Sequence, residues 1–471
     1  MKPASDNPSA QNATVQGTPR RTLKLFEAIV LIVGLVIGSG IFKAPSAVAG
    51  MTGDSTYMFI AWILGGVISL IGALCYAELT TAFPHAGGDY HFVERAYGKS
   101  VAFLFGWARI SVITTGSIAL LAFVFGDYME RLFSLNIGNL QCGSFIYAVA
   151  IVIILSWLNI RNVHTGMRTQ ALFTAIQVIC LLLIIGSAIY LSLTGTGSPE
   201  TAPSSTAPAS SLNMSGFGLA MVFVLLTFGG WNEAAYISAE LENGRKNMVR
   251  ALMLSITAIT LLYLLVTWSY WTSLSLPGMA ASKTIAADTM QLVWGDAAEK
   301  IISLMIAVSS LTSINATIIV GARSSYAMGQ DWKPLSRLGV WNTERNTPVN
   351  ALIVQCLASI VLVILGTLIG GGFNSMVEFT APVFWLFFLL TGIALFILRK
   401  HPRADNAFKV PLYPVLPIIF CLTCAYMLWS SLSYVYNQSL GNINAAWIGV
   451  GVLLIGLVLL AIIKRLNTKT Q

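Results

Sequence analysis

Apolar positions in this chain come in long blocks separated by brief polar stretches, not in a short period. Twelve blocks are long enough to cross a bilayer: 25–50, 57–82, 101–128, 142–158, 171–193, 216–240, 251–274, 301–326, 349–368, 376–398, 413–436 and 443–463. They predict an all-α integral membrane protein with 12 transmembrane helices, because a helix satisfies its own backbone in lipid. The fourth block is the shortest, and omitting it gives eleven. The loop 84–100 carries His85, Asp89, His91 and Glu94 among aromatics, and it predicts a short amphipathic helix on the inner surface. The stretch 194–215 reads as a flexible outer linker, and residues 1–20 as a disordered cytoplasmic tail.

Two blocks are interrupted. From Leu25 to Ile37 the chain is apolar apart from Glu27 and Gly34, but that length reaches only about 20 Å of a ~30 Å hydrocarbon core. Crossing must continue through Gly38-Ser39-Gly40-Ile41-Phe42, where each glycine costs ~1 kcal/mol against alanine in a helix. The sixth block is interrupted in the same way by Phe228-Gly229-Gly230-Trp231-Asn232-Glu233. In one reading, two half-helices meet at each break and expose free N–H groups at one end and free C=O groups at the other. Such ends suit a carboxylate and an ammonium, and together an amino acid. In the other, the glycines only ease packing or kink a helix. The breaks fall five blocks apart, which favours a site between inverted repeats at 21–195 and 213–400, with 411–465 added. Glu233 is a candidate functional residue because a carboxylate in a span is costly.

Charge changes this picture in one respect. The net charge is +8, but only 10% of residues are charged and 56% are hydrophobic. With the N-terminus inside, 22 of the 27 Lys and Arg fall on the cytoplasmic side and Arg131, Lys283 and Lys300 on the other. The basic excess is therefore topological, no nucleic acid partner is expected, and both termini are expected in the cytoplasm. Arg20-Arg21 before an apolar run also permits a twin-arginine export signal. The six cysteines are scattered, and the pair Cys421 and Cys424 has no His or second pair to complete a metal site. Metal and cofactor are expected to be none. No HExxH, GxSxG or phosphate-binding loop occurs, so a membrane enzyme, for which His85 and Asp89 are the weak candidates, and a channel are the rival classes.

The order of several short motifs is similar to the amino acid–polyamine–organocation superfamily. They are Gly38 to Phe42 with Pro45; Tyr76-Ala77-Glu78-Leu79; Pro84 to Tyr90; Gly229 to Asn232 with Glu240, Asn243 and Arg250; and Asn346-Thr347-Pro348. The Gly229 to Asn232 stretch, with Ser313 to Ala316 before Arg323, most resembles the L-type amino acid transporter branch. The resemblance implies a LeuT-like 5+5 inverted repeat, discontinuous helices 1 and 6, and alternating access. It implies a carboxylate held at Ser39, Gly40 and Ile41, and an amine at the carbonyls of Val36, Leu226, Thr227 and Gly229. The side-chain pocket is expected from Ser117, Asn232, Glu233 and Trp385. Gln177 stands where many relatives carry a Lys, which leaves exchange, proton symport and facilitated passage all open. Arg109 and Glu233 are candidate coupling groups, and Lys43 either rims the vestibule or snorkels.

Small neutral L-amino acids are the expected substrates, with cationic amino acids and then polyamines as alternatives. Animal relatives of the L-type branch pair with a heavy-chain glycoprotein through a cysteine between spans three and four. The surroundings of Cys142 fit that poorly, so no such partner is expected, and a monomer or weak homodimer in a bacterial cytoplasmic membrane is.

Overall fold

A computed structural model of the chain describes residues 24–83, 88–137, 140–141, 143–161, 167–194, 214–232, 244–345, 347–400, 407–437 and 445–468. The described residues are almost entirely helical. In order they form α1 (Leu25–Val36), a 3-10 turn (Ser39–Phe42), α2 (Ala44–Thr52), α3 (Ser55–Ala82), α4 (Gly88–Tyr97) and α5 (Lys99–Ala108). A π-helical turn (Arg109–Ile113) joins α5 to α6 (Thr114–Leu132). A two-stranded hairpin, Asn136–Ile137 with Leu140–Gln141, leads into α7 (Gly143–Ile160) and α8 (Met167–Thr194). Then follow α9 (Met214–Thr227), α10 (Gly244–Ala281), α11 (Ile285–Trp294), α12 (Asp296–Asp331), α13 (Val349–Ile369), α14 (Phe373–Leu398), α15 (Val415–Asn437) and α16 (Ala445–Thr468).

Ten helices among the described residues are long and apolar enough to cross a membrane, so this is a multi-pass membrane protein. The two interrupted blocks are represented by shorter pieces: α1 and α2 for the first, α9 for the sixth. Several helices outrun their apolar blocks. The helix α12 begins at Asp296, ahead of the eighth block, whereas α10 breaks at Ser275 (φ +57°), where the seventh block ends, before a second piece runs to Ala281. Hydropathy marks the thickness of the hydrocarbon, whereas the hydrogen-bonded helix continues into the interface. The start of α3 is fixed by Asp54, whose Oδ1 accepts from the amides of Thr56 (2.7 Å) and Tyr57 (3.2 Å).

The helices pack around one large core. In it α6 lies between α7 and α12, α3 lies on α9 and α10, and α14 is enclosed by α6, α15 and α16. Polar contacts fasten the two ends of the molecule. At one end Lys43 pairs with Asp127 and donates to the Lys283 carbonyl. Beside it Arg131 bridges Asp288 (3.0 Å) and Glu299. Lys43 is thereby tied to the last turns of α6 and to the loop at Lys283. At the other end the buried Glu78 holds Arg399 (2.8 Å) and the Val410 amide (2.7 Å). The amphipathic α4 is present there and buries Phe92 and Val93. Tyr97 donates from it to the Leu390 carbonyl (2.7 Å), and burial pushes its phenol up to about 12, so it remains a donor at neutral pH.

Candidate functional site

The helix α1 stops at Val36. The Ile37 amide still bonds the Val33 carbonyl (2.8 Å), but the Gly38 amide turns back to Val36 itself (2.8 Å), and Gly38 is extended. One 3-10 turn follows, closed by the Lys43 amide on the Gly40 carbonyl (3.0 Å). A helix start leaves its first amides without intrahelical acceptors, and here those belong to Ser39, Gly40 and Ile41. Ser39 and Ile41 are buried. The helix α9 ends in the same manner at Thr227, where the Gly229 amide turns back to the Leu226 carbonyl (3.0 Å). Gly230 follows at φ +107°, a backbone region L side chains rarely adopt.

The two ends meet. A Cβ on Gly40 would lie 3.4 Å from both Cγ2 and Oγ1 of Thr227, closer than most side-chain contacts, so the backbones approach here because position 40 has no side chain. Tyr263 of α10 joins them: its hydroxyl lies 3.1 Å from the Val36 carbonyl and 3.4 Å from that of Thr227. Tyr263 is fully buried. Nothing in the sequence marked it, since a tyrosine inside an apolar block looks like any core tyrosine.

From the other side the first break rests on α12. Ser39 and Ser310 place their Oγ atoms 2.9 Å apart, and the Ser310 hydroxyl lies 2.9 Å from the Ile306 carbonyl of its own helix. A hydroxyl has one proton. If Ser310 gives its proton to Ile306, Ser39 must donate to Ser310. Next to it, Gln177 of α8 donates through Nε2 to Ser309 (2.6 Å), and this pair is buried.

Trp385 of α14 and Gly229 share a small cavity with Leu225, Trp231 and Phe388, about 10 Å³ in size, which is room for a single water. Trp231 stands edge-on to Tyr76, with ring centroids 5.2 Å apart, and forms the wall facing α3. Asn232 is buried. Ser117 turns its hydroxyl into α6, donating to the Ile113 carbonyl (2.8 Å) across the π-turn. Arg109 opens that turn, half-buried. Glu233 lies outside the described residues, as do Cys142, His85, Glu240, Asn243 and Asn346. The structure thus gathers Val36, Ser39, Gly40, Ile41, Leu226, Thr227 and Gly229 about two helix ends. Trp385 lies beside them and Gln177 behind. Among the described residues no group of three or more His, Cys, Asp and Glu could hold a metal ion.

Two helix ends facing each other inside a multi-pass helical protein offer amides and carbonyls to a small dipolar solute. The chain belongs to the amino acid permease family, whose profile matches residues 23–461. It is 30% identical over 432 residues to the human b(0,+)-type amino acid transporter 1, covering 90% of this chain and 86% of the relative. It is 29% identical to the mouse large neutral amino acids transporter small subunit 2, over 91% of this chain and 80% of the relative. It is 27% identical to the mouse Asc-type amino acid transporter 1, over 87% and 76%. The resemblance to the amino acid–polyamine–organocation superfamily and its L-type branch therefore holds, and these relatives are transporters, not enzymes.

One expectation is overturned. A relative aligned over nearly the whole chain is named as the small subunit of a transporter, which implies a larger companion. The expectation that this chain has no heavy-chain glycoprotein partner is therefore withdrawn. It rested on the surroundings of one cysteine, and a partner chain can be held by a surface that no short motif reveals.

Proposed function

We propose that this protein is a secondary transporter that carries small neutral L-amino acids across the cytoplasmic membrane of a bacterial cell by alternating access. In this reading twelve spans form two inverted repeats, 21–195 and 213–400, with 411–465 outside them, and both termini lie in the cytoplasm. The Lys43 end is then outer and the Glu78 end inner. The substrate carboxylate is received by the amides of Ser39, Gly40 and Ile41. Its ammonium is received by the carbonyls of Val36, Leu226, Thr227 and Gly229; Val36 already accepts from the Gly38 amide, so it keeps a lone pair only while the single proton of Tyr263 is given to Thr227. Asn232, Glu233, Ser117 and Trp385 bound the side chain.

The observation that carries the reading is the single tyrosine hydroxyl within reach of the last carbonyls of both α1 and α9, which brings two C-terminal helix ends together, both of the negative polarity that suits an ammonium. The Ser39 hydroxyl is occupied by Ser310, so carboxylate recognition rests on the backbone and any amino acid can present its head group. Selection then falls to the side-chain end. There the walls are apolar and aromatic and the gap is small, which favours short neutral side chains over cationic ones.

Purified protein in liposomes should take up labelled alanine, serine or a similar L-amino acid saturably. Unlabelled L-amino acids should compete, and D-isomers and decarboxylated amines should not. Uptake of putrescine with no uptake of any amino acid would reverse the substrate class.

A further inference from the structure

A hydroxyl within a membrane helix commonly returns its proton to that helix. Ser117, Thr227, Thr260 and Ser325 each donate to the carbonyl four residues back. Ser69, in the middle of α3, does not. Its side chain is buried, and its Oγ has no hydrogen-bond partner among the described residues.

The neighbours of Ser69 on α3 show what it faces. Gly65, Ser69 and Gly72 fall at i, i+4 and i+7, on one face of the helix. A Cβ on Gly65 would strike Val224 and come 3.2 Å from Phe228, and one on Gly72 would come 2.7 Å from Trp231. This face of α3 therefore lies against the C-terminal end of α9 and the turn after it, with Ser69 between the two contacts. There Ser69 lines the small cavity shared by Leu225, Gly229 and Trp385.

Two more polar groups come to that cavity without partners. Trp385 is buried, and its Nε1 proton has no acceptor among the described residues. The Leu225 carbonyl has lost its helical donor, because the amide four residues on, that of Gly229, turns to Leu226 instead. One hydroxyl, one N–H and one carbonyl thus border a space of about 10 Å³. An alcohol hydroxyl accepts two hydrogen bonds and donates one. Here it would accept from Trp385 and Ser69 and donate to Leu225, which satisfies all four groups. A methyl group of the same size would leave two donors and one acceptor buried and unmet, which is costly. The cavity adjoins the proposed ammonium site, since Gly229 belongs to both and Leu225 directly precedes Leu226. A short side chain spans that distance.

We propose that this cavity is the side-chain subsite of the substrate, and that Ser69, with Trp385 and the Leu225 carbonyl, selects amino acids that carry a hydroxyl on the β-carbon, serine first among them. This rests on the transporter reading above and narrows its substrate class. Ser69 is then a specificity-determining residue contributed by α3, a helix that takes no part in holding the head group.

The test uses full-length protein in liposomes and compares kcat/KM for labelled L-serine and L-α-aminobutyrate, in which a methyl replaces the hydroxyl at nearly equal size. L-alanine is the third substrate. Wild-type protein should favour serine over aminobutyrate by about tenfold or more, since a site built to hydrogen-bond a hydroxyl rejects the analogue lacking it. In Ser69→Ala that ratio should fall severalfold, and Trp385→Phe should lower it in the same direction. Ser69→Thr, which keeps a hydroxyl, should hold a higher ratio than Ser69→Ala. A ratio read from two substrates on one preparation is independent of how much protein is folded and inserted. Equal wild-type kcat/KM for serine and aminobutyrate overturns the proposal, and so does an unchanged ratio in Ser69→Ala. In either case uptake of alanine by the wild type leaves the transporter reading standing. Absence of any amino acid uptake overturns that reading, and this proposal with it.

Discussion

The hydroxyl of Tyr263 stands 3.1 Å from the carbonyl oxygen of Val36, across 227 positions of sequence. With its second acceptor at Thr227, 3.4 Å away, it offers one proton to two carbonyls. The bond can therefore pass between the helix ends while the ring stays in place. Tyr263→Phe keeps the ring, which packs against Trp62 and Phe228, and removes only the donor. Stability should fall by about 1 kcal/mol. Uptake should fall on the order of tenfold, the effect of ~1.4 kcal/mol, because two carbonyls of the candidate ammonium site lose their common anchor. Thermal melts and initial uptake rates check this, and unchanged uptake would detach Tyr263 from the site.

Gly40 is a steric prediction. A branched side chain there meets Thr227, so Gly40→Val should abolish uptake at normal expression, while Gly40→Ala, at the 3.4 Å limit, should retain part of it. Fluorescence-detected gel filtration beside uptake separates loss of transport from loss of fold. Wild-type uptake in Gly40→Val would remove the first break from the site.

Ser39 and Ser310 should act as one unit. Each single alanine variant removes the same hydrogen bond, so the double variant should be less destabilised than the sum of the singles, by about 1 kcal/mol. Because recognition is assigned to amides, Ser39→Ala should raise KM only a few-fold. A loss above a hundredfold would place the hydroxyl itself on the substrate.

The pair of Lys43 and Asp127 predicts an asymmetry. Both are largely buried, with side chains 12% and 21% exposed, and Lys43 sits at the N-terminal end of α2, where a cation is unfavourable without a counter-charge. Lys43→Met or Asp127→Asn alone strands one charge and should cost about 1–3 kcal/mol. Lys43→Met with Asp127→Asn should recover part of that loss. Melting temperatures of the three variants decide the matter, and additive losses would mean the pair does not interact.

The parts that could be read from sequence are those encoded locally. Apolar blocks locate the helices because the bilayer imposes a length, and glycine pairs within blocks locate the ends of α1 and α9. Gln177 stood out because it falls where many relatives carry a Lys, but its partner Ser309 did not, because serine is common in membrane helices. Tyr263 could not be found, since its importance comes from a crossing of α10 with two distant helix ends. The π-turn at Arg109–Ile113 was equally hidden. It contains neither glycine nor proline, and an extra residue in a helix leaves no mark on hydropathy. The pairing of Lys43 was hidden because its counter-charge, Asp127, lies on another helix.

Glu78 has a consequence for the last two helices. Its carboxylate is shared between Arg399, at the end of α14, and the Val410 amide in the approach to α15, while Thr81 accepts from the Phe408 amide (3.0 Å). A chain ending before residue 407 would leave that acid facing a seam with half its bonds gone. The closing pair of helices is thus moored to α3, and a shortened protein lacking them should fail to mature rather than work at reduced speed.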